Sequence, residues 1–79
     1  MTNILMNSQK ELYLKYVHTI LVRVLKTNSN IRWTFKEFVQ EAQYIDMFIS
    51  ENDVRLVIWD LFDTGQADLT EDRKIVSLL

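Results

Sequence analysis

The spacing of apolar residues changes once along the chain, and the change falls at its only glycine, Gly65. Before Gly65 the apolar residues recur at the period of an amphipathic helix; after it, apolar and polar residues alternate as in a half-buried strand. The 79 residues suffice for one small core, because 48% of them are hydrophobic. We therefore expect one α+β domain over residues 1–79, with three helices first and a β-hairpin last.

A single apolar stripe predicts the first helix, between Gln9 and Lys26. Residues that prefer turns follow at 27–30 and end this helix. Residues 1–8 are expected to form a loose N-terminal segment. The stripe consists of Tyr13, Val17, Ile20, Leu21 and Val24, widened by Leu14 and Tyr16.

A capping box predicts where the second helix begins. Thr34 can accept a hydrogen bond from the Glu37 amide, and the Glu37 side chain can reach back to the Thr34 amide. Trp33 and Phe38 stand on either side of this cap at the spacing of a hydrophobic staple. The helix is expected to end near Gln43. Its apolar face holds Phe35, Phe38, Val39 and Ala42.

The third helix is predicted between a second cap and the glycine. Ser50 and Asp53 have the spacing of a capping box, and acids in a first turn suit the helix dipole. Gly65 stands where a helix needs a left-handed residue in order to end. The apolar face of this helix holds Val54, Val57, Ile58, Leu61 and Phe62.

Two alternating segments after the glycine, 67–70 and 73–78, predict the β-hairpin. The polar pair Glu71-Asp72 between them predicts its turn. With that turn, the side chains expected to face the core are Ala67, Leu69, Val76 and Leu78.

The order of these elements resembles a winged helix-turn-helix domain, with Ile31–Trp33 as its short strand. The likeness lies in residues 54–75, which are similar to the recognition helix, glycine turn and wing of many bacterial winged-helix domains. The wing of those domains often has the sequence Leu-Thr-x-Asp-Arg, which matches Leu69–Arg73 here. The resemblance covers about residues 9–78 and implies DNA binding, although winged helices also serve as protein-interaction modules. The DNA contacts that it implies are Asn52, Arg55, Arg73 and Lys74.

The charge of the third helix opposes DNA binding. Residues 51–63 carry four carboxylates and one arginine, a local charge of −3, and the whole chain carries −2 at pH 7. Carboxylates repel phosphates, and so few cations release few counterions. DNA binding through the four residues above therefore stays the alternative function.

Leu56 and Trp59 fall on the outer side of the same helix when it is drawn as a wheel. A tryptophan beside a leucine on an exposed face is typical of a protein-binding hot spot. Two interpretations remain open, because the pair is either exposed or covered by the first helix or by the apolar loop at 44–49. The exposed interpretation predicts a regulatory module that binds a protein partner, or a second copy, through the third helix and the wing. The residues assigned to that site are Arg55, Leu56, Trp59, Asp60 and Asp63.

Enzyme chemistry has little support in the sequence. The chain has no cysteine, and a single histidine, His18, is too few for a multi-histidine metal site. We expect His18 to be a surface or half-buried residue. Asp63-Thr64-Gly65 matches the tripeptide of aspartic proteases, but a helix end explains this glycine without chemistry. We expect no catalytic residue, cofactor, metal or small-molecule substrate. With neither a signal peptide nor a membrane span in the sequence, we expect a cytoplasmic protein.

Overall fold

The computed structural model describes the backbone of residues 2–79 and the side chains of residues 9–79. Three helices come first and a two-stranded antiparallel hairpin follows, so the predicted α+β layout is confirmed. The elements are α1 (Thr2–Thr27), α2 (Phe35–Ile45), α3 (Glu51–Asp63), β1 (Ala67–Leu69) and β2 (Ile75–Ser77).

The first helix is longer than predicted. It begins at Thr2 rather than near Gln9, so residues 2–8 are helical and do not form the loose segment that we expected. No glycine or proline interrupts these residues. Once the packed part of α1 has nucleated a helix, each further residue adds a hydrogen bond at little cost, and the helix extends towards its N-terminus. Met1 lies outside the described residues.

The core lies where the helices meet the hairpin, and every element contributes to it. The predicted apolar faces of α2 and α3 are buried, except that Phe35 and Phe62 are only partly covered. On α1 the core also takes Leu25, whereas Tyr16 at the edge of the predicted stripe is exposed. The largest fully buried side chains are Phe38, Leu21, Leu25, Ile49, Leu61, Ile75, Val17, Val24 and Val54.

Both predicted capping boxes are present. Thr34 Oγ1 accepts from the Glu37 amide at 3.1 Å, and Glu37 Oε1 accepts from the Thr34 amide at 2.8 Å. Ser50 Oγ accepts from the Asp53 amide at 3.1 Å, and Asp53 Oδ2 accepts from the Ser50 amide at 3.3 Å. Each box satisfies two backbone donors that the first turn of a helix leaves free, so the starts of α2 and α3 are fixed by local sequence.

Gly65 ends α3 as predicted. Its φ is +74°, and its amide donates to the Phe62 carbonyl at 3.2 Å. The Gln66 amide donates to the Leu61 carbonyl at 3.0 Å, which completes a Schellman motif. The chain therefore reverses at once and sends β1 back alongside α3.

Trp33 ties the start of α2 to the hairpin. Its amide donates to the Ile75 carbonyl at 2.9 Å, and the Ile75 amide donates to the Trp33 carbonyl at 2.7 Å. The strand predicted at 31–33 is thus a single bridge to β2. The Trp33 and Phe38 rings pack in a T-shaped arrangement with their centroids 6.3 Å apart, as expected for the hydrophobic staple.

The hairpin turn is one residue longer than predicted. The Thr70 amide donates to the Lys74 carbonyl at 2.9 Å, so the loop consists of residues 71–73. Arg73 closes the loop in the left-handed conformation, with φ +63°, and its amide donates to the Thr70 carbonyl at 2.9 Å. This is the three-residue hairpin loop in which a left-handed residue follows a tight turn.

The extra loop residue shifts the strand register by one. Ala67 pairs with Ser77, and Leu69 pairs with Ile75. Because successive side chains point to opposite faces, Ile75 faces the core, and the prediction that Val76 and Leu78 do so is wrong. Ala67 is buried as predicted, whereas Leu69 lies near the hairpin tip and is exposed.

Candidate functional site

The outer face of α3 carries all five residues predicted to bind a protein, and each is exposed: Arg55, Leu56, Trp59, Asp60 and Asp63. Leu56 is 57% exposed and Trp59 is 59% exposed. Neither α1 nor the segment 44–49, which spans the end of α2 and the loop after it, covers them, so the pair is exposed rather than covered.

Two grooves run along α3, one on each side of this face. The α1–α3 groove has a volume of about 340 Å³ and is lined by Glu11, Leu14, Lys15, His18, Leu56, Val57 and Asp60. The α3–hairpin groove has a volume of about 270 Å³ and is lined by Phe35, Arg55, Ile58, Trp59, Phe62, Leu69, Arg73 and Ile75. The two predicted apolar anchors therefore belong to different grooves, Leu56 to the first and Trp59 to the second.

Aromatic contacts position the side chains of the α3–hairpin groove. The Trp59 ring meets Phe62 edge to face, with centroids 5.6 Å apart and planes at 85°. The guanidinium carbon of Arg55 lies 5.0 Å from the centre of the Phe35 ring, within range of a cation–π interaction. Arg55 Nη2 is also 3.9 Å from Glu51 Oε1, a long and exposed ion pair that contributes little.

The hairpin turn adds a second cation to this groove. Arg73 lines it from the loop, and among the side chains that the structure describes its guanidinium has no ion pair or hydrogen bond. Lys74 is half-buried and does not line the groove; it contributes to the lowered pKa of Glu37, which comes mainly from the hydrogen bond of the Thr34 amide. Asn52 is exposed but lies outside the groove lining. Of the four residues implied for DNA contact, the fold thus brings two together.

The α1–α3 groove has mixed charge. His18 Nε2 lies 3.4 Å from Asp60 Oδ2, and the histidine is half-buried, as expected. Glu11 and Lys15 supply one further charge of each sign. The sequence pattern did not connect His18 with Asp60, because residues on two helices meet only once the helices are packed. Asp63 lies outside both groove linings.

Three large apolar side chains near the turn from α2 to α3 are exposed and were not assigned to a site. Tyr44 lies in the last turn of α2, which ends at Ile45 rather than near Gln43, and is 86% exposed; Met47 and Phe48 lie in the loop and are 76% and 83% exposed. Asp46 holds the loop in place, since it accepts from the Phe48 amide at 2.9 Å and from the Tyr16 hydroxyl at 2.8 Å. These two hydrogen bonds stabilise the carboxylate and lower the pKa of Asp46. The signal in the sequence was an apolar run where polar turn residues are usual.

Over the part of the chain that the structure describes, no three metal-ligating side chains come together, and no helix combines the length and hydropathy of a membrane span. Comparison of the chain with protein-family models, with curated proteins and with solved structures found no match. The candidate site must therefore be interpreted from its own geometry and charge.

Proposed function

We propose that this chain is a small cytoplasmic regulatory module of the winged-helix type, which acts without catalysis by binding another protein through α3 and the hairpin. The observation that carries the proposal is the 59% exposure of Trp59 beside an apolar groove. Burying a tryptophan ring is favourable because it removes a large apolar area from water, and a partner that covers the exposed ring gains this free energy on binding. Tryptophan is, with tyrosine and arginine, among the residues that are enriched at interface hot spots.

The surroundings of Trp59 have the anatomy of an interface. Leu56 lies one turn away at the edge of this surface, in the lining of the α1–α3 groove, and Trp59 is the apolar centre. Arg55, Asp60 and Asp63 provide a charged rim, which in protein interfaces keeps water from the centre and sets the orientation of the partner. The module is held rigid beneath this surface, because Val57, Ile58 and Leu61 on the same helix are buried.

A photo-cross-linking residue in place of Asp63 tests this proposal while leaving Trp59 intact. We expect cross-linked adducts in cells that disappear when Trp59→Ala is added, since the ring anchors the partner. A cross-linker in place of the exposed Thr19 on α1 is the matched control and should give no adduct that depends on Trp59. Adducts whose mass is twice that of the chain would identify a second copy as the partner. If position 63 gives no adduct that depends on Trp59, the proposal is wrong.

DNA binding is the second candidate, and one observation favours it. Arg55 and Arg73 line the same groove, and no carboxylate is among its lining residues. Against it stand the exposed Glu51, Asp60 and Asp63 on α3, which repel a phosphate backbone.

The anisotropy of a labelled random-sequence duplex separates the two candidates. A DNA-binding domain binds this duplex at low salt and loses the affinity steeply as the salt concentration rises. If this chain binds DNA, changing Arg73 and Lys74 to Ala should lower its affinity for the duplex. Our proposal predicts that the anisotropy does not change with protein concentration at either low or higher salt, because the cationic surface is too small to hold a duplex. A steep salt-dependent curve would overturn the protein-binding function in favour of the DNA-binding one.

A further inference from the structure

The lining of the α3–hairpin groove has a charge opposite to that of the whole molecule. The chain carries −2 at pH 7, and α3 alone carries four carboxylates against one arginine. Yet the residues that line this groove include two arginines and no acid. The remaining lining is aromatic or aliphatic, so the groove is an apolar channel with positive charge at its edge.

The two arginines are available to a ligand in different ways. Arg55 is placed over the Phe35 ring, so its orientation is set before any partner arrives and less side-chain entropy is lost on binding. Its competitor within the chain, Glu51, is 3.9 Å away and exposed. Arg73 stands on the hairpin turn with no ion pair among the described side chains.

Resting on the proposed function, we infer that the partner presents a peptide segment whose aromatic or aliphatic anchors are flanked by Asp or Glu. The apolar anchors bury Trp59 and fill the groove, and the carboxylates bind the guanidinium groups of Arg55 and Arg73. A guanidinium presents paired donors that match a carboxylate, and such charge-assisted pairs are about twice as strong as neutral hydrogen bonds.

The number of cations favours a peptide over a nucleic acid. A phosphate backbone carries a charge at every nucleotide and needs a track of cations to follow it. Two arginines beside the exposed carboxylates Asp60 and Asp63 do not form such a track. They suffice for one or two carboxylates on a peptide, which leaves the acids of α3 facing solvent.

Three synthetic peptides test the inference against the full chain. The first is an amphipathic peptide of Leu and Phe flanked by Glu; its twins have Gln or Lys in place of every Glu. Trp59 reports binding, because burial shifts its fluorescence to the blue, whereas Trp33 is already buried at 8% exposure and stays constant. We expect the Glu peptide to bind about tenfold more tightly than the Gln twin for each guanidinium engaged.

Variants of the protein assign that preference to the groove. Changing Arg55 and Arg73 to Gln should remove the discrimination between the Glu and Gln peptides, and Arg23→Gln, at an exposed site on α1, should preserve it. Changing Arg55 and Arg73 to Glu should reverse the preference in favour of the Lys twin. A reversal cannot come from partial unfolding, so it separates recognition from damage to the fold.

Four outcomes would overturn the inference, the first three of them in the binding titrations. These three are equal binding of the Glu and Gln peptides, tighter binding of an oligothymidine probe than of the Glu peptide, and failure of every peptide to shift Trp59. Self-association that needs both arginines would assign the groove to a second copy instead, which also overturns it. The proposed function fails separately, when the adducts at position 63 do not depend on Trp59, so a wrong partner chemistry is distinguishable from a wrong surface.

Discussion

The two grooves beside α3 have similar size but different charge. The α1–α3 groove measures about 340 Å³ and the α3–hairpin groove about 270 Å³, and each has one of the two exposed apolar residues of α3 in its lining. In the first groove, His18 lies against Asp60, and Glu11 and Lys15 carry opposite charges. In the second, Arg55 and Arg73 have no acid opposite them in the lining.

This difference shows that exposed apolar area alone does not identify a binding site in so small a domain. A short chain buries a limited share of its surface, so apolar side chains such as Tyr44 and Phe48 remain exposed elsewhere as well. The rarer feature is positive charge with no acid in the same lining, which occurs in one of the two grooves. This feature identifies the α3–hairpin groove as the more suitable binding site for an acidic partner, and it makes Trp59 a more important anchor than Leu56.

The largest expected effect is on binding, and it compares the two anchors directly. Trp59→Ala should weaken the binding of the acidic peptide by more than about thirtyfold, the loss of roughly 2 kcal/mol typical of a hot spot. Leu56→Ala should change it by no more than about threefold, because Leu56 lines the other groove. Fluorescence is lost with Trp59, so isothermal titration calorimetry should measure both variants. A larger effect at Leu56 would assign the interface to the α1–α3 groove.

Both of these variants should keep their fold, which makes the comparison clean. Each side chain is more than half exposed, and substitutions at such positions usually change the free energy of unfolding by about 0.5 kcal/mol or less. Leu61→Ala on the buried side of the same helix should instead cost about 2–5 kcal/mol. Urea denaturation measures all three.

The next effect has opposite signs for stability and for binding. Arg73 is held at φ +63°, a conformation that costs a residue with a side chain about 1 kcal/mol or more relative to glycine. Arg73→Gly should therefore raise the free energy of unfolding by about 0.5–1 kcal/mol while it weakens the acidic peptide about tenfold. Arg73→Ala should weaken the peptide equally without the gain in stability. If Arg73→Gly leaves binding unchanged, Arg73 is only a turn residue.

The same arginine explains where the sequence prediction of the hairpin failed. Gly, Asn and Asp are the residues that signal a left-handed turn position, and an arginine gives no such signal. The polar pair Glu71-Asp72 therefore predicted a loop one residue too short. This error shifted the predicted strand pairing by one residue, so Val76 was expected in the core where the structure has Ile75.

The helix caps and faces were predictable because they depend on residues a few positions apart. Thr34, Ser50 and Gly65 act on their own helix ends, and the wheel of α3 separated its buried side from Leu56 and Trp59. The division of the outer face into two grooves was not predictable. It depends on where α1 and the hairpin pack against α3, and no local pattern carries that information.

A smaller effect concerns the capping box that fixes the start of α2, where Phe35 is the first residue and packs against Arg55. The hydrogen bond from the Thr34 amide lowers the pKa of Glu37 below its ordinary value of 4.5. The stability that the ionised carboxylate adds is therefore complete above this value and is lost as the pH falls through the lower pKa of the folded state. Glu37→Gln cannot ionise, so its unfolding free energy should fall less between pH 7 and about pH 3 than that of the wild type, as measured by urea denaturation. Equal slopes would show that the box adds no pH-dependent stability.

The smallest effect is expected in the α1–α3 groove. His18 and Asp60 are 3.4 Å apart, but Asp60 is exposed, and a polar contact so open to solvent adds little to stability. His18→Gln should therefore leave both the free energy of unfolding and the affinity for the acidic peptide nearly unchanged. Arg55→Gln, on the other side of the same helix, should also leave stability nearly unchanged but weaken the peptide about tenfold. The two variants are matched, because each removes a partner of a carboxylate on α3. If His18→Gln weakens the peptide as much as Arg55→Gln does, the two grooves act as one surface, and their difference in charge does not direct the partner.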